Sequence, residues 1–522
     1  MYKASGLVFR LTFTVVLLGA TDAAFADNPL PIPNLAQPAG DSNFFTRLYH
    51  AYVDEWGLPA APADLNGPPG PPTRRPPPWP TAPESSPPMP FADWPQGGLD
   101  YIGVSTPNSV DSPLMKAIGT DNIIGKTLED AHIQIYGWID PGGNISTAKT
   151  GYGGNAPASY LFTPNLIQLD QAVVYVERVP DTVQQDHLDW GFRVSGIYGE
   201  NYRYTTAYGI FSNQLMYGNH FAGYDMPMVY GELYVPYVAQ GLEFRVGRYI
   251  SVPDIEAQLA PNNYLYSHSM TYAFDNYTNT GLLTSLKLTH NWELQFGISA
   301  GTETVPWNAT HISLINPQTG YPGYSGARDP GTQPTFTGCV QWESDIAWDN
   351  LYLCANALNN ATWGYNNLQW LGGTYYHKFN DQWHISIESW YMYIRDVPDM
   401  SQGYAATAFA YVPYNRPNEA ICPEGEIKCT AKMWSALFYL NYQFSPLDNL
   451  SLRGEYFDDI NGQRTGFATA YNNWAIGWQH WFSPQVDIRP EIAWYHALSA
   501  PAFDNGTKHS IAIFSGDVIW HF

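Results

Sequence analysis

From residue 130 to the C-terminus the chain is written in segments of about ten residues in which apolar and polar side chains alternate. In 291–301, Trp292, Leu294, Phe296, Ile298 and Ala300 fall on one side, and Glu293, Gln295, Gly297 and Ser299 on the other. In 432–444 the series Trp434, Ala436, Phe438, Leu440, Tyr442 and Phe444 aligns, and in 485–496 Ile492 and Trp494 oppose Arg489, Glu491 and Tyr495. Period two over such lengths predicts strands with two different faces. About sixteen segments qualify: 130–140, 166–178, 189–199, 226–237, 241–250, 281–290, 291–301, 335–345, 349–358, 368–379, 382–395, 432–444, 448–458, 471–482, 485–496 and 508–522.

Alternation alone also fits a soluble β-sandwich. The connections separate the two. Those after even-numbered segments are short, as at Ala239-Gln240, Ile346-Ala347-Trp348, Asn380-Asp381, Ser445-Pro446-Leu447 and Ser483-Pro484, with only the first, 179–188, somewhat longer. Those after odd-numbered segments are long: 141–165, 200–225, 251–280, 302–334 and 396–431. Transmembrane barrels have short periplasmic turns and long outer loops, whereas a sandwich has no reason to sort them by parity. The prediction is therefore all-β: a transmembrane antiparallel β-barrel of about 16 strands over 130–522, carrying a proline-rich N-terminal extension. In lipid only closure pairs every strand edge. Composition agrees. Charged residues are 14%, aromatics 16%, and mean hydropathy is −0.27, as expected when apolar side chains face lipid and polar ones face a lumen. A net charge of −23 argues against nucleic acid as a partner. Val518, Trp520 and Phe522 end the last segment on its apolar face, which resembles the export signal of bacterial outer-membrane barrels.

Upstream, Lys3 and Arg10, the apolar run 11–20 and Ala24-Phe25-Ala26 predict a signal peptide over 1–26. Residues 27–129 then read as a periplasmic proline-rich leader. Within it, 41–57 predicts a short amphipathic helix, with Asp41 or Ser42 as cap and Gly57 and Pro59 as its end. Its apolar residues Phe45, Leu48, Tyr49, Tyr52, Val53 and Trp56 have no core of their own, so it must dock: on this chain, on another copy, or on an envelope partner. Residues 59–95 are too rich in proline for helix or sheet and read as an extended spacer. Cell-wall contact through 27–95 is the alternative role for this region.

The four cysteines suit an oxidising compartment. Cys339 and Cys354 flank the turn near Ile346-Ala347 on the lumen-side parity, so a cross-strand disulfide is expected. Cys422 and Cys429 predict a local staple in an outer loop. No spacing suits a metal, and no cofactor is expected.

The run Tyr230-Gly231-Glu232-Leu233-Tyr234-Val235-Pro236 leads into Gly241-Leu242-Glu243-Phe244-Arg245-Val246-Gly247-Arg248-Tyr249, then Ala260-Pro261-Asn262-Asn263-Tyr264, Tyr266-Ser267-His268-Ser269 and Thr278-Asn279-Thr280-Gly281. With Tyr136-Gly137-Trp138, Gly191-Phe192-Arg193-Val194 and Arg489-Pro490-Glu491, this resembles the OmpL-like β-barrel porin family over roughly residues 85–522. Members often carry threonine-histidine where this chain has Asn279-Thr280. The resemblance implies a pore and a homotrimer more than it implies any particular solute.

The third outer loop, 251–280, is long enough to enter the lumen. Its Asp254, Glu256, His268 and Asp275 are candidate constriction residues, facing lumen-side Arg193, Arg245, Arg248, Arg453 and Arg489. Opposed charges would filter solutes, or would pin the loop. Ser267 and Ser269 adjoin His268 too closely in sequence for a nucleophilic site, so no catalytic residue is expected. The expected function is passive diffusion of small hydrophilic solutes or ions across the bacterial outer membrane, with its lipid as a partner. Rival readings are an envelope tether and a barrel esterase.

Overall fold

The computed structural model describes residues 43–54, 56–57 and 112–522, apart from 159, 183, 208, 217–219, 251–253, 309–331, 345–347, 362–366, 381, 401–418, 446 and 484. The predicted signal peptide and the spacer 59–95 lie outside the described residues.

Sixteen antiparallel strands form one closed sheet. They are β1 Gln134–Ser146, β2 Ile167–Arg178, β3 Asp189–Gly199, β4 Gly223–Asp225 with Val229–Val235, β5 Leu242–Ile250, β6 Thr278–Lys287, β7 Trp292–Thr302 and β8 Thr335–Glu343. The second half is β9 Asp349–Leu358, β10 Gln369–Lys378, β11 Trp383–Pro398, β12 Lys428–Ser445, β13 Asp448–Asp459, β14 Thr469–Ser483, β15 Val486–Ile488 with Glu491–Ala497, and β16 Ser510–His521. Each strand pairs with its sequence neighbour, and β1 pairs with β16, so no edge is left open. β4 and β15 are each interrupted once, at Pro227 and at Pro490. Proline has no N–H to give the ladder.

The predicted faces hold. Ile492, Trp494, Phe514, Val518 and Trp520 are exposed on the outer surface, while Arg453, Glu455, Asn473 and Tyr495 are buried inside. Among the boundaries that differ from expectation, two bear on the site. β1 starts at Gln134 and runs on through Pro141-Gly142-Gly143, taking up the irregularity as a register shift at Asp140/Pro141. β6 begins at Thr278, because Asn279 and Thr280 pair with Tyr249 and Arg248, so the third loop is shorter than predicted.

Among the described residues, three helices precede the barrel. α1 (Phe44–Val53) is capped by Asn43, not Asp41 or Ser42, because the Asn43 side chain accepts from Thr46 N. It ends at Asp54, before Gly57. It docks on its own barrel: the Tyr52 hydroxyl donates to the His521 carbonyl at 2.7 Å. α2 (Pro113–Ile118) and α3 (Ile123–Asp130) are too short to show a periodicity in sequence. Ser112 caps α2 and donates to the Ile135 carbonyl at 3.2 Å, fixing it at the start of β1.

Candidate functional site

The third loop folds inside the barrel. Every residue from Asp254 to Tyr277 is buried, except Asn262 and Ala273, which are half-buried. Local chemistry shapes it first. Asn263 ties one bend: it accepts from Ala257 N at 2.9 Å and donates to the carbonyls of Ala257 and Leu259 at 2.6 and 2.8 Å. Ser269 caps a helical turn, Met270–Ala273, accepting from Tyr272 N. An asparagine and a serine each supply what a buried backbone cannot obtain from water.

The wall then holds the loop from several sides. Gln171 on β2 donates to the Gln258 carbonyl at 2.7 Å and accepts from Ala260 N at 3.2 Å. Tyr266 donates to Asp170 at 2.7 Å. On β11, Glu388 accepts from Ile255 N at 2.9 Å, Trp390 donates to the Thr271 carbonyl at 3.2 Å, and His384 meets the Tyr264 hydroxyl. Glu455 on β13 accepts from the Thr271 hydroxyl at 2.7 Å, and Glu491 on β15 accepts from Ser267 N at 2.9 Å. Glycines let the loop come this close. A Cβ on Gly142 would clash with the Tyr266 hydroxyl, and one on Gly477 with Leu265.

The candidate charges divide into three groups. Arg453 and Glu256 form a buried ion pair at 3.2 Å, and Arg453 also donates to the Ser267 carbonyl at 2.7 Å and hydroxyl at 2.8 Å. Glu256 further accepts from Ser269 N and from the Tyr439 hydroxyl. Arg489 donates to the carbonyls of Ala260 and Asn263 at 2.6 and 2.9 Å while paired with Asp517. These two arginines face the loop.

Arg193, Arg245 and Arg248 do not. They pair with Glu177, Glu232 and Asp225, because those wall carboxylates lie on neighbouring strands within reach. Asp254 and Asp275 do not meet arginines either. With Glu388 they place carboxylate oxygens within 4.8 Å of one another. Asp254 Oδ1, Asp275 Oδ2 and Glu388 Oε1 accept no hydrogen bond. Burial pushes the Asp254 and Asp275 carboxyls well above the usual range, and the facing carboxylates push them further. Among the described residues this is the grouping with the geometry to hold a cation.

His268 is anchored. Its Nε2 lies 2.7 Å from the Ala257 carbonyl, and its ring stacks on Tyr160 with centroids 3.6 Å apart. Tyr160 in turn stacks on Tyr204 at 4.0 Å, so the first and second outer loops meet the third through one aromatic column. Burial holds the imidazole well below its ordinary value of 6.5. Ser267 is engaged with Arg453 and Ser269 with Glu256, not with the imidazole.

Both expected disulfides are present, Cys339–Cys354 between directly paired residues and Cys422–Cys429 between the outer loop and the start of β12. Glu388, Glu455, Glu491 and Gln171 were not anticipated as loop partners. Their lumen-side parity was the available signal.

The profile of the family described as "Putative beta-barrel porin-2, OmpL-like" matches residues 132–522. No curated protein sequence matches. Solved structures of similar shape include an anion-selective porin from Comamonas acidovorans, at 9% identity, covering 75% of this chain and 99% of that one, with a TM-score of 0.43. The outer-membrane channel DcaP of Acinetobacter baumannii gives 11%, 75%, 97% and 0.42 in the same order. OmpT of Vibrio cholerae, in its trimer form, gives 9%, 75%, 99% and 0.41. The family match spans the whole barrel, and the chain belongs to the putative beta-barrel porin-2, OmpL-like family.

Proposed function

We propose that this protein is an outer-membrane porin that passes small hydrophilic solutes or ions by passive diffusion through a lumen narrowed by its third loop. Family membership supports the coarse reading, a channel of the bacterial outer membrane rather than an enzyme. One observation carries the finer one. A loop between adjacent strands enters a closed barrel and is bonded to polar groups on the opposite wall. A lumen crossed in this way admits solutes only past fixed charges. The arginines are neutralised by carboxylate partners, whereas Asp254, Asp275 and Glu388 face one another and would ionise against a cation that bridges them, which favours cations over anions.

In this proposal residues 1–26 direct export, 27–129 form a periplasmic leader and 130–522 the barrel. A homotrimer, and contact with the cell wall through 27–95, rest on the sequence reading alone. Planar-bilayer recording of the purified protein tests the function. Discrete channel steps, with a reversal potential in a salt gradient of the sign for cations, are expected. A silent bilayer with correctly folded protein would sink the porin reading, and the opposite sign would sink the cation preference.

A further inference from the structure

Helix α1 lies outside the barrel wall. The Tyr52 ring packs on Trp520 at 5.4 Å, and Trp56 stacks on Phe482 at 5.2 Å and 12°. The backbone follows: Gly57 N donates to the Phe482 carbonyl at 2.6 Å. Trp520 continues the outward row of Phe514 and Val518, and Phe482 continues that of Trp474, Ile476 and Trp478. Both rings therefore belong to the surface that faces lipid. They stand at the end where β14 turns into β15 and where β16 finishes, the short-turn side, which in outer-membrane barrels is periplasmic.

The far end of the helix is pinned as firmly. Arg47 donates to the carbonyls of Ala117 and Ile118 at 2.9 and 3.0 Å and pairs with Asp121 at 3.0 Å. The rotation of the helix is thus set, and it leaves a sorted surface. Ala51, Leu48 and Tyr52 turn towards the protein. Thr46, His50 and Asp54 form a polar strip, with His50 Nδ1 2.9 Å from Asp54 Oδ1. Between the two, Phe45, Tyr49 and Val53 make one stripe at helical spacing, and Trp56, just past the helix end, lies beyond it. Phe45 is 77% exposed and Tyr49 63%. Ile123 and Ile124, two residues beyond Asp121, are also exposed.

An aromatic stripe of this size is not left in water without a purpose. It is also continuous with the lipid-facing belt, through Trp56 on Phe482 and Tyr52 on Trp520. Amphipathic rings at that level suit the boundary between head groups and acyl chains, with the polar strip turned to the periplasm. We infer that α1 is an interfacial helix whose Phe45, Tyr49 and Val53, with Trp56 just beyond its end, insert into the phospholipid leaflet at the periplasmic rim of the barrel. This rests on the reading that the barrel spans a membrane, and it is independent of conduction.

The test uses the full chain, folded and reconstituted in phosphatidylethanolamine–phosphatidylglycerol vesicles. All four native cysteines are in disulfides, so one added thiol takes an environment-sensitive fluorophore selectively. Tyr49→Cys reports the stripe, His50→Cys the polar strip, and Ile492→Cys the barrel's outer surface. For positions 49 and 492 a blue-shifted emission is expected, quenched by doxyl-labelled lipid at least about twice as strongly as by aqueous iodide. For position 50 the order reverses. If 49 behaves like 50 while 492 is lipid-quenched, the helix lies in water and the inference is wrong. It is equally wrong if 49 is shielded from both quenchers, because then protein covers the stripe. Failure of 492 to see lipid would instead overturn the membrane reading on which the inference stands.

Discussion

Replacing Arg453 with methionine should open the third loop. The guanidinium is almost wholly buried, and it holds both the Glu256 carboxylate and the backbone of Ser267. Methionine fills much of the same volume, so the loss is one of charge and donors rather than of packing. Removing one partner of a buried pair costs about 3–5 kcal/mol, because the other is left charged and uncompensated. Glu256 keeps the Ser269 and Tyr439 donors, which argues for the lower figure. At about 1.4 kcal/mol per tenfold, that is on the order of 10²-fold in the ratio of closed to open loop. Hydrogen exchange reads it directly: amide protection across 264–272 should fall by that factor, while protection of the β13–β14 ladder is unchanged. In single-channel records the same variant should show longer or larger openings. The double variant Arg453→Met with Glu256→Gln should recover part of the loss, since no unpaired charge remains. Protection reduced by less than about threefold in the single variant would refute the claim that this pair pins the loop.

Four further outcomes follow from the same geometry. Burial keeps His268 neutral below its ordinary pKa of 6.5, so an opened loop binds a proton that the closed one excludes. The His268 contribution to closure is therefore at full strength above pH 6.5 and weakens as pH falls below it, opposite in sign to that of the buried Asp254 and Asp275 carboxyls, so the slope should be read as the difference in amide protection near 268 between the wild type and His268→Gln. Gly142→Val would drive a side chain into Tyr266, at an overpacking cost of about 1–3 kcal/mol, and should lower protection at 264–268 without changing barrel heat-modifiability. Asp275→Asn removes one of three facing carboxyls that a cation could bridge, so the reversal potential should shift away from cations; an unchanged reversal potential would contradict the preference. Reducing Cys339–Cys354, which closes 15 residues, should cost at most about 3 kcal/mol, since β8 and β9 are already paired, and gel mobility should still report a folded barrel.

What was legible in the sequence follows from how far each contact reaches along the chain. Alternation assigns a face to each residue, and a short turn fixes the register on either side of it. Cys339 and Cys354 were found by that arithmetic, and they do lie directly opposite. The same arithmetic across Ala239-Gln240 puts Glu232 opposite Gly247, whereas the structure centres that turn one residue earlier and pairs Glu232 with Arg245. Parity put Glu232 and Arg245 on one face, but a turn misplaced by one residue shifts every partner by two. Glu177 and Arg193 are also opposite, but the longer turn 179–188 leaves their register open until the sheet is built.

Arg453 and Glu256 are 197 residues apart, and Ser267 and Glu491 are 224. No hairpin relates them. They meet only because closure of β16 on β1 brings β13 and β15 round to face the loop that leaves β5. Lumen-side parity therefore says which residues can touch the loop, and barrel closure says which ones do. This also explains why glycine at 142 and 477 carried no signal in the sequence. A glycine in a strand ordinarily weakens it, and its use here, as a seat for Tyr266 or Leu265, exists only once a distant segment has arrived. The same logic holds for α1. Its helical spacing was plain, but its partner, the outer row ending at Trp520, becomes a surface only when the last strand has closed the barrel.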